Sequence, residues 1–233
     1  MKQGHTLYDS SFYKPHTSRK GYIYLGSFLF DVFDPENAVD FGCGIGETLS
    51  RLEAKGVRCY GLEGSEDALQ FSKVKMAIAD LGEPIHLNKQ YDLVISTEVA
   101  EHLRSGNADA FVDNLVRHAK SAVFFTAAVP GQGGVGHVNE QPKAYWREKF
   151  ERRGLRRVRL IEFIARIALY PLIWEMPWIR NNLQVFVKGK PNRSVGRAFM
   201  YLPRYMLQSL RWRLSISRLG GGLYWIPKRD NKA

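Results

Sequence analysis

Cysteine is scarce. The 233 residues include two, Cys43 and Cys59. Two cysteines make no disulfide framework, and their spacing matches no metal-binding pattern. That excludes stapled secreted folds and small zinc modules, and it makes a reducing, cytoplasmic setting the expectation. The N-terminal MKQGHTLYDSSFYKPHTSRK points the same way, since it lacks the apolar core of a signal peptide. Long hydrophobic runs are also missing. The greasiest stretch, LIEFIARIALYPLIWEMPWI (160–179), is broken by Glu162, Arg166, Glu175, Pro171 and Pro177. A membrane-crossing helix needs about 20 mostly apolar residues and tolerates central charge poorly. This segment is therefore expected to be buried or to lie on an interface. No internal repeat or low-complexity tract occurs.

Acids are nearly absent from one region alone. Residues 188–233 hold eleven Lys or Arg and a single acid, Asp230, whereas residues 1–187 hold 23 bases and 22 acids. The net charge of +11 thus belongs to a C-terminal appendage on a near-neutral body. A neutral body argues against nucleic-acid binding by the domain as a whole. The basic end remains a candidate contact with phosphates, in RNA or at a membrane surface.

What is present suffices for a large core. Apolar residues make up 45% and aromatics 12%, which fits one large domain, or one domain and an appendage. Between residues 37 and 190, short apolar runs alternate with helical spacing. NAVDF (37–41), VRCYGLE (57–63), KMAIAD (75–80), YDLVIST (91–97) and SAVFFTA (121–127) read as strands. Helices are expected near 46–55, over EDALQFSK, over 108–120 and over PKAYWREKFERRG, with Pro142 near its start and Gly154 past its end. LRRVRLIEF and NLQVFVKG read as the last strands. The alternation implies an α/β fold, a mostly parallel sheet with helices on both faces.

The first strand runs into a glycine-rich turn, VDFGCGIGETL (39–49), that opens a helix. Glycines there let the backbone approach a ligand closely, and the helix start offers unpaired N–H groups. A dinucleotide site would need a third glycine where Glu47 stands, and a carboxylate there would face a pyrophosphate. Asp40 suits a ligand with an ammonium group. Glu63 ends the second strand, where an acid can accept both hydroxyls of a ribose.

Asp40-x-Gly42-x-Gly44-x-Gly46, Glu63 and the later YDLVISTEVAEHL resemble class I S-adenosylmethionine-dependent methyltransferases over residues 37–190. The resemblance implies a Rossmann-like, seven-stranded sheet, mostly parallel with its last strand reversed. It implies S-adenosylmethionine as cofactor, with its methionine moiety at Asp40, Gly42, Gly44 and Gly46. Glu63 would hold the ribose, Asp80 and Leu81 would meet the adenine, and Glu98 would lie beside the cofactor. Residues 1–36 are expected to form an N-terminal helix and a lid carried by TLYDSSFYKPH (6–16). Residues 191–233 form a basic extension outside the family core.

The acceptor is expected where the fourth and fifth strands end. TEVAEHL (97–103) follows the fourth, and GHVNEQPKAYW follows the fifth with His137, Asn139, Glu140, Gln141, Tyr145 and Trp146. Asn139 or Glu140 suits a cap on the following helix, and Tyr145 and Trp146 suit the core. Glu98, Glu101 and His102 share one face if TEVAEHL is helical. Three readings stay open there: local packing, a metal-free base at His102 or His137 with a pKa near about 6.5, and a cation site. Glu-x-x-Glu-His with a later His resembles small-RNA 2′-O-methyltransferases and ubiquinone-pathway O-methyltransferases. In that resemblance Glu98, Glu101, His102 and His137 would bind one Mg, Mn or Zn ion.

The expected activity is methyl transfer, most simply to an oxygen of a small molecule, a saccharide or a lipid-linked acceptor. RNA methylation, an inert cofactor-binding module and a nicotinamide-dependent oxidoreductase are the alternatives. In the extension, Arg197, Arg204, Arg211 and Arg218 recur every seven residues. From Pro203 onward they flank Met206, Leu207, Leu210 and Leu214, as on an interfacial helix with charged heads reaching outward. Residues 196–233 are the expected contact with RNA or with the inner membrane surface. A helix packed on the body with solvated arginines is the alternative.

Overall fold

Asn37–Phe41, Tyr91–Thr97 and Ala119–Thr126 are rich in apolar and β-branched residues without strict alternation, the composition of strands covered on both faces. The computed structural model describes residues 8–13, 20–170, 176–190 and 192–218. Its strands are β1 (Asn37–Phe41), β2 (Arg58–Glu63), β3 (Met76–Ile78), β4 (Tyr91–Thr97), β5 (Ala119–Thr126), β6 (Arg156–Arg157) and β7 (Gln184–Val187). They form one sheet in the order β3-β2-β1-β4-β5-β7-β6. β7 runs antiparallel to β5 and β6, and the other neighbouring pairs are parallel. The helices are α1 (Ser10–Tyr13), α2 (Lys20–Phe33), α3 (Glu47–Glu53), α4 (Ala108–His118), α5 (Lys143–Arg152), α6 (Arg159–Ala168), α7 (Pro177–Asn182) and α8 (Asn192–Arg218).

Successive strand residues point to opposite faces, and each face has its own core. Ala38, Leu93, Ile95, Phe124 and Val185 pack on one side with Leu25 and Phe28 of α2, Leu49 of α3 and Ile161 and Ile164 of α6. Val39, Phe41, Val94, Phe125 and Phe186 pack on the other with Phe111 and Leu115 of α4 and Trp146 and Phe150 of α5. Gly26 lets α2 lie close on α3, since a Cβ there would stand 2.7 Å from the Thr48 carbonyl.

One expected strand is a two-residue strand that turns at once into a helix. LRRVRLIEF alternates basic and apolar residues, yet β6 takes only two of them and α6 begins at Arg159. The deciding pattern is Ile161, Ile164, Ala165 and Ala168, all buried, at i, i+3, i+4 and i+7. Three of these four lie beyond the nine residues that suggested a strand. The segment over EDALQFSK is a 3-10 helix, Glu66–Phe71. At the start of α6 the Arg157 guanidinium donates to both Glu162 carboxylate oxygens at 2.7 Å, and Val185 N–H donates to the same buried carboxylate at 3.1 Å. Glu162→Ala leaves both donors unpaired. It is expected to cost about 3 kcal/mol, lowering Tm by about 9 °C in a thermal melt.

α8 begins at Asn192, earlier than expected, and runs through Pro203. It packs on the body. Ala198, Tyr205 and Ser209 are buried, the Tyr205 hydroxyl donates to Asp31 at 2.7 Å, and Ser209 Oγ donates to the Ile167 carbonyl. Arg197 pairs with Asp34 at 3.0 Å. The side chains of Leu214 and Arg218, and all of residues 219–233, lie outside the described residues.

Candidate active site

β1 lies between β2 and β4, so the chain leaves β1 toward one edge and returns as β4 on its other side. Such a reversal opens a crevice at the carboxyl ends of the two strands. The loops after β1 and β4 meet there. A Cβ on Gly42 would lie 2.3 Å from Val99 Cγ2, and one on Gly46 would lie 2.4 Å from Val74 Cγ2. Gly44 differs: its φ is +55°, and a Cβ there would meet nothing within 4 Å. The turn is pinned by Gly42 and Cys43 N–H groups donating to the Leu62 carbonyl.

Glu63, at the end of β2, joins this turn. Its carboxylate accepts from Gly44 N–H at 2.7 Å, Gly64 N–H at 2.9 Å and Ser65 N–H at 3.2 Å. Burial raises its pKa, and those N–H groups oppose the rise. Asp40 is buried beneath the turn with Oδ1 unpartnered. Burial, and then the charge of Glu63, lift its pKa to about 7. Glu47 does not face this space as an isolated charge. It is buried at the start of α3 and accepts from Lys73 Nζ at 2.8 Å. The repulsion expected of it is therefore largely cancelled, and Asp40 and Glu63 set the electrostatics of the turn. The unpartnered Asp40 Oδ1, the Glu63 carboxylate and the open space at Gly44 fit a ligand bearing an ammonium and vicinal hydroxyls.

Asp80 and Leu81 behave differently from that group. Asp80 Oδ1 accepts from Gly82 N–H at 2.9 Å in a turn, and Leu81 is buried in the core. The described part of the N-terminal segment, 8–13, does lie against the site, while residues 6, 7 and 14–16 lie outside the described residues. Tyr13 packs with Ile45 of the glycine turn and Ala68. Ser65 Oγ donates to the Tyr8 carbonyl at 2.7 Å, and the Tyr8 hydroxyl is 2.9 Å from His102 Nδ1. Burial pushes the Tyr8 hydroxyl up to about 12, so it stays protonated.

TEVAEHL does not form the α-helix that would set Glu98, Glu101 and His102 on one face. A 3-10 helix spans Ala100–His102, and Glu98 precedes it with φ +55°. Left-handed backbone on a non-glycine residue is strained by about 1–3 kcal/mol. It is held by Glu98 N–H donating to Thr126 O and Oγ1, and by the Glu98 carboxylate accepting from Gln132 Nε2 and Asn182 Nδ2. The Glu98 carboxylate is thereby engaged by two amides, and among the described residues the ligand atoms that cluster are those of Glu101, His102 and His137, three of the expected four.

Those three come together. The Glu101 carbonyl accepts from Val138 and Asn139 N–H, at 2.9 and 3.0 Å, which ties the loop after β5 to the loop after β4. The His102 and His137 rings stand 4.8 Å apart, edge to face. One ligand atom from each of Glu101, His102 and His137 lies within 4.8 Å of the others. Glu101 is fully buried, with neither carboxylate oxygen hydrogen-bonded. Burial, and then the charge of Glu98, raise its pKa to about 9. Burial lowers that of His102, favouring its neutral form.

Glu140 was expected as a helix cap. It instead accepts from Gly131 and Gly133 N–H and from His137 Nδ1, at 2.8 Å for the last. This contact selects the tautomer of the neutral ring with the proton on Nδ1 and the lone pair on Nε2. Asn139 is no cap either: it is buried, with Nδ2 toward the Ala100 carbonyl. Trp146 is core, and Tyr145 packs beside it. Gln132 and Asn182 were not foreseen, because nothing near them in sequence marks them as partners of Glu98.

A family model described as a methyltransferase domain matches residues 18–172. No curated protein matches the sequence. Solved structures share the fold at low identity. Magnesium protoporphyrin IX methyltransferase from Synechocystis, with S-adenosylhomocysteine bound, is 17% identical, with a TM-score of 0.53 over 75% of this chain and 84% of its own. Streptomyces venezuelae DesVI is 17% identical, with a TM-score of 0.55 over 73% and 93%. The methyltransferase domain of bacterial CtHen1-C is 19% identical, with a TM-score of 0.52 over 72% and 97%.

Proposed function

Since the chain belongs to the methyltransferase-domain family and its methyl donor is S-adenosylmethionine, we propose that it methylates a hydroxyl of a small-molecule, saccharide or lipid-linked acceptor held beside Glu101, His102 and His137. The observation that carries this reading is the cluster itself: a buried, unpartnered carboxylate against two imidazoles, where the loops after β4 and β5 meet. The near-neutral charge of residues 1–187 favours such an acceptor over a polyanion.

When bound, S-adenosylmethionine supplies a methyl group on a cationic sulfonium. The protein's tasks are to bring the acceptor oxygen in line at about 3–3.5 Å and to take its proton. Asp40 and Glu63 would hold the ammonium and ribose. His137, with Nδ1 bound to Glu140, presents Nε2 as the base. Tyr8 and Tyr13 cover the site from the N-terminal side and exclude water.

A second reading is favoured by the orphaned oxygens of Glu101. Glu101, His102 and His137 would hold a divalent cation, whose chemistry there is to acidify an acceptor hydroxyl. Two imidazoles and one carboxylate suit Zn or Mn better than Mg, which prefers oxygen ligands.

Calorimetry with S-adenosylhomocysteine and with NAD tests the donor site, and binding of NAD alone would sink it. Incubating cell extracts with tritiated cofactor identifies the acceptor. Label in RNA rather than in small or lipid-extractable products would replace the acceptor class. Full activity in excess chelator would eliminate the cation.

Asp40 adds a pH signature. In the free protein it keeps a proton up to about pH 7, whereas the unfolded chain loses it near about 4. Stability of the free protein therefore falls as pH rises across that window. An ammonium beside Asp40 favours the carboxylate, so binding expels a proton below pH 7. The dissociation constant is expected to fall by up to about tenfold per unit from pH 5 to 7 and then level. Titrations in buffers of different ionisation heat count the proton, and Asp40→Asn removes the slope.

A further inference from the structure

α8 has two faces, and the body uses only one of them. Ala198, Tyr205 and Ser209 point inward and are buried. Phe199, Met200, Met206, Leu207 and Leu210 are 51%, 61%, 55%, 50% and 52% exposed. At about 100° per residue these five fall within an arc of about 120° on the outward side. Arg204 and Arg211, both exposed, stand along one edge of that arc. On the neighbouring helix α6, Phe163 is 59% exposed. Residues 192–218 contain six arginines and no acid. No helix among the described residues is long and apolar enough to cross a membrane.

A surface helix ordinarily turns its apolar stripe to the core and its polar face to water. α8 turns a second apolar face outward, and exposed apolar patches of this kind mark interaction sites. The charge selects the occupant. A second copy docked through the same face would set basic helix against basic helix, since residues 192–218 hold no acid to pair with Arg211. RNA would satisfy the arginines and leave five large apolar side chains with nothing to bury against. An anionic lipid surface takes both, with acyl chains for the apolar arc and headgroups for the arginines at its edge.

We propose that the outward face of α8 docks the protein on an anionic membrane surface, lying in the interface with Phe199, Met200, Met206, Leu207 and Leu210 inserted. Docking is independent of which acceptor is methylated and of whether a cation is bound.

The test is sedimentation of the full-length protein with vesicles of phosphatidylcholine alone and of phosphatidylcholine mixed with phosphatidylglycerol. Binding is expected to the mixed vesicles and to weaken with salt. Leu207→Ser with Leu210→Ser, both on an exposed face, should reduce it at least about tenfold while S-adenosylhomocysteine binding and the melting temperature stay unchanged. Met200→Ser with Met206→Ser is the second pair if the first fails to fold. No sedimentation with mixed vesicles, or equal sedimentation by a folded serine pair, overturns the proposal. Dimerisation in sedimentation velocity, or RNA binding, that is lost in the serine pairs without any vesicle binding overturns it in favour of that partner.

Discussion

Gly44→Val is expected to abolish cofactor binding and leave the chain folded. The three glycines of the turn all have positive φ, but they are not equivalent. Side chains on Gly42 or Gly46 would strike Val99 or Val74 and break the turn. A loss of binding in those variants would say little. A side chain on Gly44 would enter open space, with nothing within 4 Å of its Cβ. If that space is where the cofactor lies, the valine methyl groups must compete with it. Overpacking of this order costs about 3 kcal/mol, a loss of at least about a hundredfold in affinity. The variant also carries left-handed strain of about 1–2 kcal/mol, which lowers Tm by a few degrees. Gly56→Val separates the two effects. Gly56 has φ +87° and equally open surroundings, but it sits at the far end of α3. It should lose similar stability and keep full affinity for S-adenosylhomocysteine. Equal affinities in the two variants would remove the glycine turn from the cofactor site.

The parts of this site legible in the sequence are those fixed by local geometry. A strand, a glycine turn and a helix start are written in consecutive residues, so Asp40, Gly44 and Glu63 could be named before any coordinates. Their mutual contact, Gly44 N–H on the Glu63 carboxylate, spans only 19 residues across a parallel strand pair. The failures are long-range. TEVAEHL offers two glutamates, and sequence spacing put both on one helical face. What separates them is long-range: Gln132 and Asn182, 34 and 84 residues away, engage the Glu98 carboxylate, and Glu101 alone of the two clusters with His102 and His137. α6 was missed because its apolar spacing emerges only over ten residues. The extension was half legible: the described part of its stripe, Met206, Leu207 and Leu210 beside Arg204 and Arg211, is exposed on α8, but the opposite face, anchored through Asp31 and Asp34 of the distant α2 region, gives no local signal.

Glu101→Gln is the sharpest probe of what that selection leaves behind. With a pKa near 9, the Glu101 carboxyl is protonated at pH 7 when nothing sits beside it. Glutamine is then close to an isostere of the native side chain. The substitution removes an ionisable group from a fully buried position, so the variant should fold. The wild-type folded state holds this proton to about pH 9, whereas the unfolded chain releases it near about 4.5. Stability of the free protein thus declines with rising pH across that window, and it declines less in Glu101→Gln. Thermal melts from pH 6 to 9 should show the variant gaining on the wild type. The two chemical readings then part. If His137 works as a plain base, a neutral side chain at position 101 changes little, and activity at pH 7 is retained. If Glu101, His102 and His137 hold a cation, the amide cannot supply the anionic ligand, and activity falls by at least about a hundredfold. With His137 as the base the first outcome is the expected one, and a fall in activity would instead support the cation. Restoring activity with Zn or Mn should then succeed in the chelated wild type and fail in Glu101→Gln. Retained activity in a well-folded variant would return the chemistry to His137 and Glu140 alone.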